Sequence, residues 1–277
     1  MHLLNHLLPL ALLLNASCAK DNTTQASAPA EDYPLPSVST SVKDPHERAS
    51  IICAHFWENA VFPGTDVPVD SVSPDLEQAM ANFAAIAAMA SEPDSVSLGV
   101  RQMIFKGGID RVMPLAERYL YDPNSPVRSE ETFLLFLEAA PQWERTDLLL
   151  PQVLKNRVGS AAADFPFIDS QGNRSSLHEF LKQHGETFVY FFDSECNVCK
   201  DLIPVASEAS QGLPVLAVCP EANAKDFNEV LTLFPKDWTV VRDLGEIDDN
   251  ELFIFPALPS VYVLSPSAEV IAKDLPL

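Results

Sequence analysis

An apolar run from Thr187 to Phe192 breaks off into two cysteines spaced three apart, Cys196-Asn197-Val198-Cys199. A helical pattern follows at once in Leu202, Ile203, Ala206 and Ala209. The run reads as a buried strand bounded by polar residues. A strand that delivers Cys-x-x-Cys to the start of a helix is the arrangement thiol–disulfide chemistry needs. The first turn of the helix favours the thiolate of the first cysteine, and the second lies one turn on, within reach to close a disulfide. Zinc ribbons use the same spacing. A structural zinc site needs four ligands, however, and the chain offers neither a second Cys-x-x-Cys nor a nearby histidine pair.

A length of 277 residues is comfortable for two domains. The chain is 47% hydrophobic, enough to build cores, and carries a formal charge of −21. So acidic a chain is repelled by nucleic acid, and no basic cluster offsets the repulsion. Nucleic-acid partners are set aside.

Residues 1–18 form a short leucine-rich stretch, interrupted by Asn5, His6 and Pro9 and ending in Ala16-Ser17-Cys18. It is too short and broken for a comfortable spanning helix and reads as an export signal. The ending resembles the lipobox of bacterial lipoproteins, which implies lipidation at Cys18 and a lipid bilayer as partner. It departs from that pattern in lacking Lys or Arg before the apolar stretch and in having Asn15 where leucine is usual. Residues 19–43 are rich in Ser, Thr, Ala and Pro without apolar periodicity, the composition of a disordered tether.

Helical signals begin at Asp44-Pro45-His46-Glu47, with Ala49, Ile52, Cys53, Phe56 and Ala60 at helical spacing behind them. Further helices are predicted from Ser73-Pro74-Asp75, around Val112 to Tyr119, from Ser129, and from Trp143 to Lys155. The expectation is an all-helical domain over 44–157 with no visible site chemistry. Cys53 lies on an apolar face and reads as a structural thiol. Tyr119-Leu120-Tyr121 reads as a packed helix end.

From Gly159 the pattern changes. Asp164 to Ile168 is a strand, Ser176 caps a short helix, and the strand and Cys-x-x-Cys helix follow. Leu213–Val218 is a strand, 222–234 helical, Trp238–Val241 a strand and Leu252–Phe255 a short helical turn. Ala257–Leu264 and Glu269–Ala272 close the chain as an antiparallel pair. The order is that of an α/β sandwich over 158–277.

Three features make this segment resemble the thioredoxin-like fold, in the exported branch related to alkyl hydroperoxide reductases and cytochrome-maturation oxidoreductases. Cys196-Asn197-Val198-Cys199 ends the right strand, Pro204 falls where thioredoxins kink the active-site helix, and Leu258-Pro259 matches the cis-proline that faces the cysteines. Residues 44–140 resemble the uncharacterised helical domain that precedes thioredoxin-like domains in some Gram-negative lipoproteins. The fold class expected is therefore an α/β thioredoxin-like domain preceded by an all-α domain.

The resemblance implies an exported thiol–disulfide oxidoreductase of the cell envelope, anchored through Cys18, with Cys196 as nucleophile and Cys199 resolving. Leu258 and Pro259 would meet a peptide substrate, and no cofactor or metal is needed. Its partners would be protein or peptide disulfides and a membrane electron donor. A lipid-anchored interaction protein on a thioredoxin-like scaffold is the other reading.

Glu195 replaces the usual tryptophan before the first cysteine, with Asp193 two residues earlier, and both oppose the thiolate. The buried acid of the preceding strand is replaced by Tyr190, and the helix that usually covers the sheet after the last strand is missing from the sequence. Cys219 reads as a core thiol. The peroxiredoxin pattern Pro-x-x-x-Thr-x-x-Cys is not met, since Asp193 and Val189 occupy its positions.

Overall fold

The structure, a computed structural model, describes residues 35–62, 74–221, 227–275 and 277. The signal and lipidation reading on residues 1–18 lies outside them, as does the tether to residue 34. The described residues belong to one compact unit, Asp32–Leu277. Its first half is helical: α1 (Pro45–His55), α2 (Pro74–Ala87), α3 (Pro93–Gly107), α4 (Ile109–Ala116, continued by a π-type turn Glu117–Tyr121), α5 (Glu130–Ala139) and α6 (Thr146–Leu154).

Caps start these helices where the sequence places them. Asp44 accepts from the N–H of His46 and Glu47 at 2.8 and 3.0 Å, and those bonds hold its carboxyl below the ordinary range. Ser129 accepts from Thr132 N–H at 3.2 Å.

Helix α3 is an element that periodicity alone passed over. Glu92-Pro93-Asp94 opens it and Val96, Val100 and Met103 are buried along it. Gly99 explains both its obscurity and its fit. A methyl here would land on the Cys53 carbonyl oxygen and 2.9 Å from the Phe83 ring, so α1 and α3 meet where only glycine fits. Cys53 is fully buried, and burial pushes its thiol up to about 12. Tyr121 stacks on Phe133 at 5.2 Å and its hydroxyl donates to Gln152 at 3.0 Å, so the aromatic helix end packs.

The second half is a seven-stranded mixed sheet in the order β2-β1-β5-β4-β3-β6-β7. Its strands are β1 (Pro166–Asp169), β2 (Arg174–Ser176), β3 (Thr187–Phe191), β4 (Val215–Cys219), β5 (Thr239–Asp243), β6 (Ser260–Leu264) and β7 (Val270–Lys273). Strand β3 pairs parallel with β4 and antiparallel with β6. Around the sheet lie α7 (Leu177–His184), α8 (Asn197–Asp201), α9 (Ile203–Ala209), α10 (Phe227–Val230) and α11 (Glu246–Asp249).

All five β3 residues are buried, because the pleat sends alternate side chains into cores on both faces. Phe188, Tyr190 and Phe192 join Cys199, Ile203 and Ala206 on one side. Val189 and Phe191 join Leu177, Leu181 and Tyr262 on the other.

Leu252–Phe255 is not a helical turn. The helix lies earlier, in α11, and 252–255 runs irregularly. Phe253 and Phe255 sit two residues apart with rings 6.1 Å from each other and 5.0 and 4.7 Å from Phe191. Two rings on one side at a spacing of two is an extended pattern, which a helix would split.

The halves meet through charge. Arg128 Nη2 lies 2.7 Å from Glu130 Oε1 and 3.0 Å from Asp274 Oδ2, and Lys273 Nζ lies 2.6 Å from Glu130 Oε2. None of these four side chains is more than 16% exposed. A cation and an anion from each half thus share one nearly dry cluster.

Candidate functional site

Strand β3 ends at Phe191 and a four-residue loop carries the chain to Cys196, the N-cap of α8. The Cys196 and Cys199 sulfurs are paired as a disulfide, with Cα atoms 5.3 Å apart. Cys196 is partly exposed, whereas Cys199 is 1% exposed. The Cys199 backbone N–H points at Cys196 Sγ, 3.1 Å away, a donor ready for a thiolate there.

The helix behind the cysteines is broken. It stops at Leu202 and resumes as α9, with Pro204 in the first turn of the new segment. Proline has no N–H to continue the ladder, and its ring excludes a normal contact with the carbonyl four residues back. Tyr190 supplies a donor nearby: its hydroxyl, fully buried, donates to the Cys199 carbonyl at 2.6 Å. Burial pushes that phenol well above its ordinary range, so it stays a donor. Tyr190 stands where thioredoxins carry a buried acid, and here it holds the backbone of the second cysteine.

Facing the disulfide is the loop that leads into β6. The Leu258–Pro259 peptide is cis, and the Leu258 carbonyl oxygen lies 3.9 Å from Cys196 Sγ. Cys196, Cys199, Leu258 and Pro259 are therefore brought together, while Cys18 lies outside the described residues.

Two acidic neighbours were not read from the sequence. Glu221 follows the end of β4, and its carboxyl is held above the usual carboxylate range, first by burial and then by Asp193, Glu195 and Asp248 around it. Their convergence is a property of the sheet: loops after β3, β4 and β5 leave the same edge. Position at the end of a predicted parallel strand was the signal available. Cys219 is fully buried beneath them, and burial raises its thiol. Among the described residues no group of histidines, cysteines and acids is placed to hold a metal ion. No helix among them is long and apolar enough to cross a membrane.

The architecture matches a solved structure across both halves. A thioredoxin-like protein from Bacteroides caccae shares 26% identity over 88% of this chain and 94% of its own, with a TM-score of 0.73. The fold is thioredoxin-like with a helical first half. The C-terminal domain of an uncharacterised protein from Bacteroides fragilis shares 26% identity over 44% of this chain and 93% of its own, at a TM-score of 0.40. The thioredoxin domain of a thiol-disulfide oxidoreductase from Bacteroides vulgatus shares 20% over 43% and 89%, at 0.36. No curated protein matches the chain. A family model described as a domain of unknown function (DUF5106) matches residues 14–158.

Proposed function

This chain belongs to the DUF5106 family, and we propose that it is an exported, lipid-anchored thiol–disulfide oxidoreductase that reduces or isomerises protein disulfides through Cys196 and Cys199. The observation that carries this reading is a partly exposed Cys196 paired with a buried Cys199 opposite the Leu258 carbonyl.

In the reduced enzyme the Cys196 thiolate attacks one sulfur of a substrate disulfide. An S–S bond forms to Cys196, and the other substrate sulfur leaves as a thiolate. The Cys199 thiolate then attacks Cys196 Sγ, forming the internal disulfide and releasing the second substrate thiolate. Two electrons have passed to the substrate. A dithiol donor must return them, which for an exported protein implies a membrane electron donor.

Accessibility supports the order of events, since only Cys196 offers its sulfur to a large partner. The Cys199 N–H at 3.1 Å steadies the attacking thiolate. The Leu258 backbone, beside Cys196, would pair with an extended substrate segment.

Lipid anchoring rests on Ala16-Ser17-Cys18 at the end of the leader stretch. Wild-type protein should fractionate with membranes and Cys18→Ala should not; freely soluble wild type would contradict the anchor. For the chemistry, reduction of insulin with dithiothreitol as donor is the test. Turnover by the wild type and loss of it in Cys196→Ser is the result expected. A wild type no faster than dithiothreitol alone would favour a non-catalytic scaffold.

A further inference from the structure

The segment from Glu251 to Pro259 runs without regular structure between α11 and β6, and it carries the face opposed to the disulfide. Its start is held directly from outside the α/β half, and its far end through Asp274, which the helical half grips in turn. At the start, Asn156 Nδ2 donates to the Leu252 carbonyl at 2.7 Å, and Lys155 Nζ donates to the Glu251 carbonyl. The Asn156 side chain is fixed from its other end, where its Oδ1 accepts from Ala163 N–H at 2.9 Å. Residues 155 and 156 directly follow helix α6.

At the far end, Ser260 comes straight after Pro259 and pairs with Phe191, the last residue of β3. Its hydroxyl, in a residue only 3% exposed, donates to Asp274 Oδ1 at 2.7 Å. The other Asp274 oxygen is held by Arg128, which also grips Glu130, the first residue of α5. Lys273 joins the two grips: its Nζ pairs with Glu130 and donates to the Lys155 carbonyl at 3.2 Å.

From this geometry we infer that the helical half works as a frame for the redox site, fixing the Leu258–Pro259 loop against Cys196 through Arg128–Asp274–Ser260 at one end and Asn156 at the other. Arg128, Ser260 and Asn156 are positioning residues, since none of them touches a cysteine. The chemistry at stake is the Leu258 carbonyl. In the reduced protein it accepts from the Cys196 thiol, favouring the neutral form, and in the complex its backbone must stay where a substrate strand can meet it. The part of this inference that concerns substrate rests on the proposed function; the part that concerns the Cys196 thiol does not.

The test uses two uncharged changes in the full chain. Ser260→Ala removes the hydroxyl grip. Asn156→Gly removes the amide grip while keeping a residue suited to the observed φ of 48°. In reduced protein, the pH dependence of Cys196 alkylation gives its apparent pKa, and peptide-disulfide turnover with dithiothreitol gives KM and kcat.

We expect each variant to lower the Cys196 pKa by about 0.5 unit or more, as the carbonyl withdraws. KM should rise about threefold or more with a smaller change in kcat. Arg128→Gln added to Ser260→Ala should move the pKa no further, because both act through Asp274. An unchanged Cys196 pKa in both folded single variants would overturn the inference. So would a shift accompanied by alkylation of buried Cys219, which would mark general loosening. A wild type without turnover defeats the proposed function and leaves the pKa comparison to decide the frame.

Discussion

Replacing Arg128 by methionine keeps the bulk of the side chain and takes away the cation that touches two carboxylates at 2.7 and 3.0 Å. Glu130 keeps Lys273 at 2.6 Å, but Asp274 is left with the Ser260 hydroxyl and no cation contact among those described. Removing one partner from a buried pair costs about 3–5 kcal/mol. These groups retain 12–16% exposure, so the lower end, about 3 kcal/mol, is the figure to expect. In a unit of this size each kcal/mol moves the midpoint by about 2–4 °C, giving a Tm loss of roughly 6–12 °C.

The pH dependence has a definite sign. Burial already holds the Glu130 carboxyl above its ordinary range, against the pull of Lys273 and Arg128. A carboxyl raised in the folded state is most favourable to folding when protonated, and that stability is lost as pH rises through the folded pKa. Without Arg128 the Glu130 carboxyl should rise further, so the variant's deficit should be full at about pH 8 and shrink towards pH 5. Circular-dichroism melts of wild type and Arg128→Met at both pH values measure this. A loss under 2 °C, or a deficit that does not shrink in acid, would refute the view that a nearly dry charge cluster joins the halves.

Three further outcomes follow from the same reasoning. Tyr190→Phe should cost about 1–3 kcal/mol in denaturant melts, because it strips the hydroxyl from the buried Cys199 carbonyl. Gly99→Ala, which stabilises an ordinary exposed helix, should here destabilise by about 1–3 kcal/mol, since the methyl meets the Cys53 carbonyl and the Phe83 ring. The acids around Cys196 should keep the couple near the thioredoxin value of roughly −270 mV rather than the strong-oxidant value of roughly −120 mV. In a glutathione titration, Glu195→Gln with Asp193→Asn should then be more oxidising than wild type, and an unchanged potential would remove the acids from the explanation.

What the sequence made legible was local. Asp44, Ser129 and Ser176 announced their helices because a cap is a contact within four residues. The cysteine pair and Leu258–Pro259 were legible because strand, spacing and proline sit in short fixed patterns.

Helix α3 was hidden by Gly99 and Gly107, which lower helix propensity and matter through contacts with α1, α2, Val112 of α4 and Phe62. Phe253 and Phe255 read as helical from composition, and only the Phe191 ring between β3 and the loop shows why they run extended. The grip of Arg128 on Asp274 spans 146 positions of sequence, and no periodicity encodes such a pair. Glu221 and Asp248 reach the site through the shared edge of a sheet, so their place depends on topology rather than on any motif.

The division of labour between the two cysteines is the centre of this account, and trapping measures it directly. Reduced Cys199→Ser and Cys196→Ser proteins, each incubated with a disulfide-bonded protein and run on a non-reducing gel, should behave differently. Cys199→Ser should accumulate a mixed disulfide through Cys196, because the partly exposed sulfur attacks and nothing resolves the product. Cys196→Ser should form none, because Cys199 is only 1% exposed. Equal trapping by both variants, or none by either, would contradict the account.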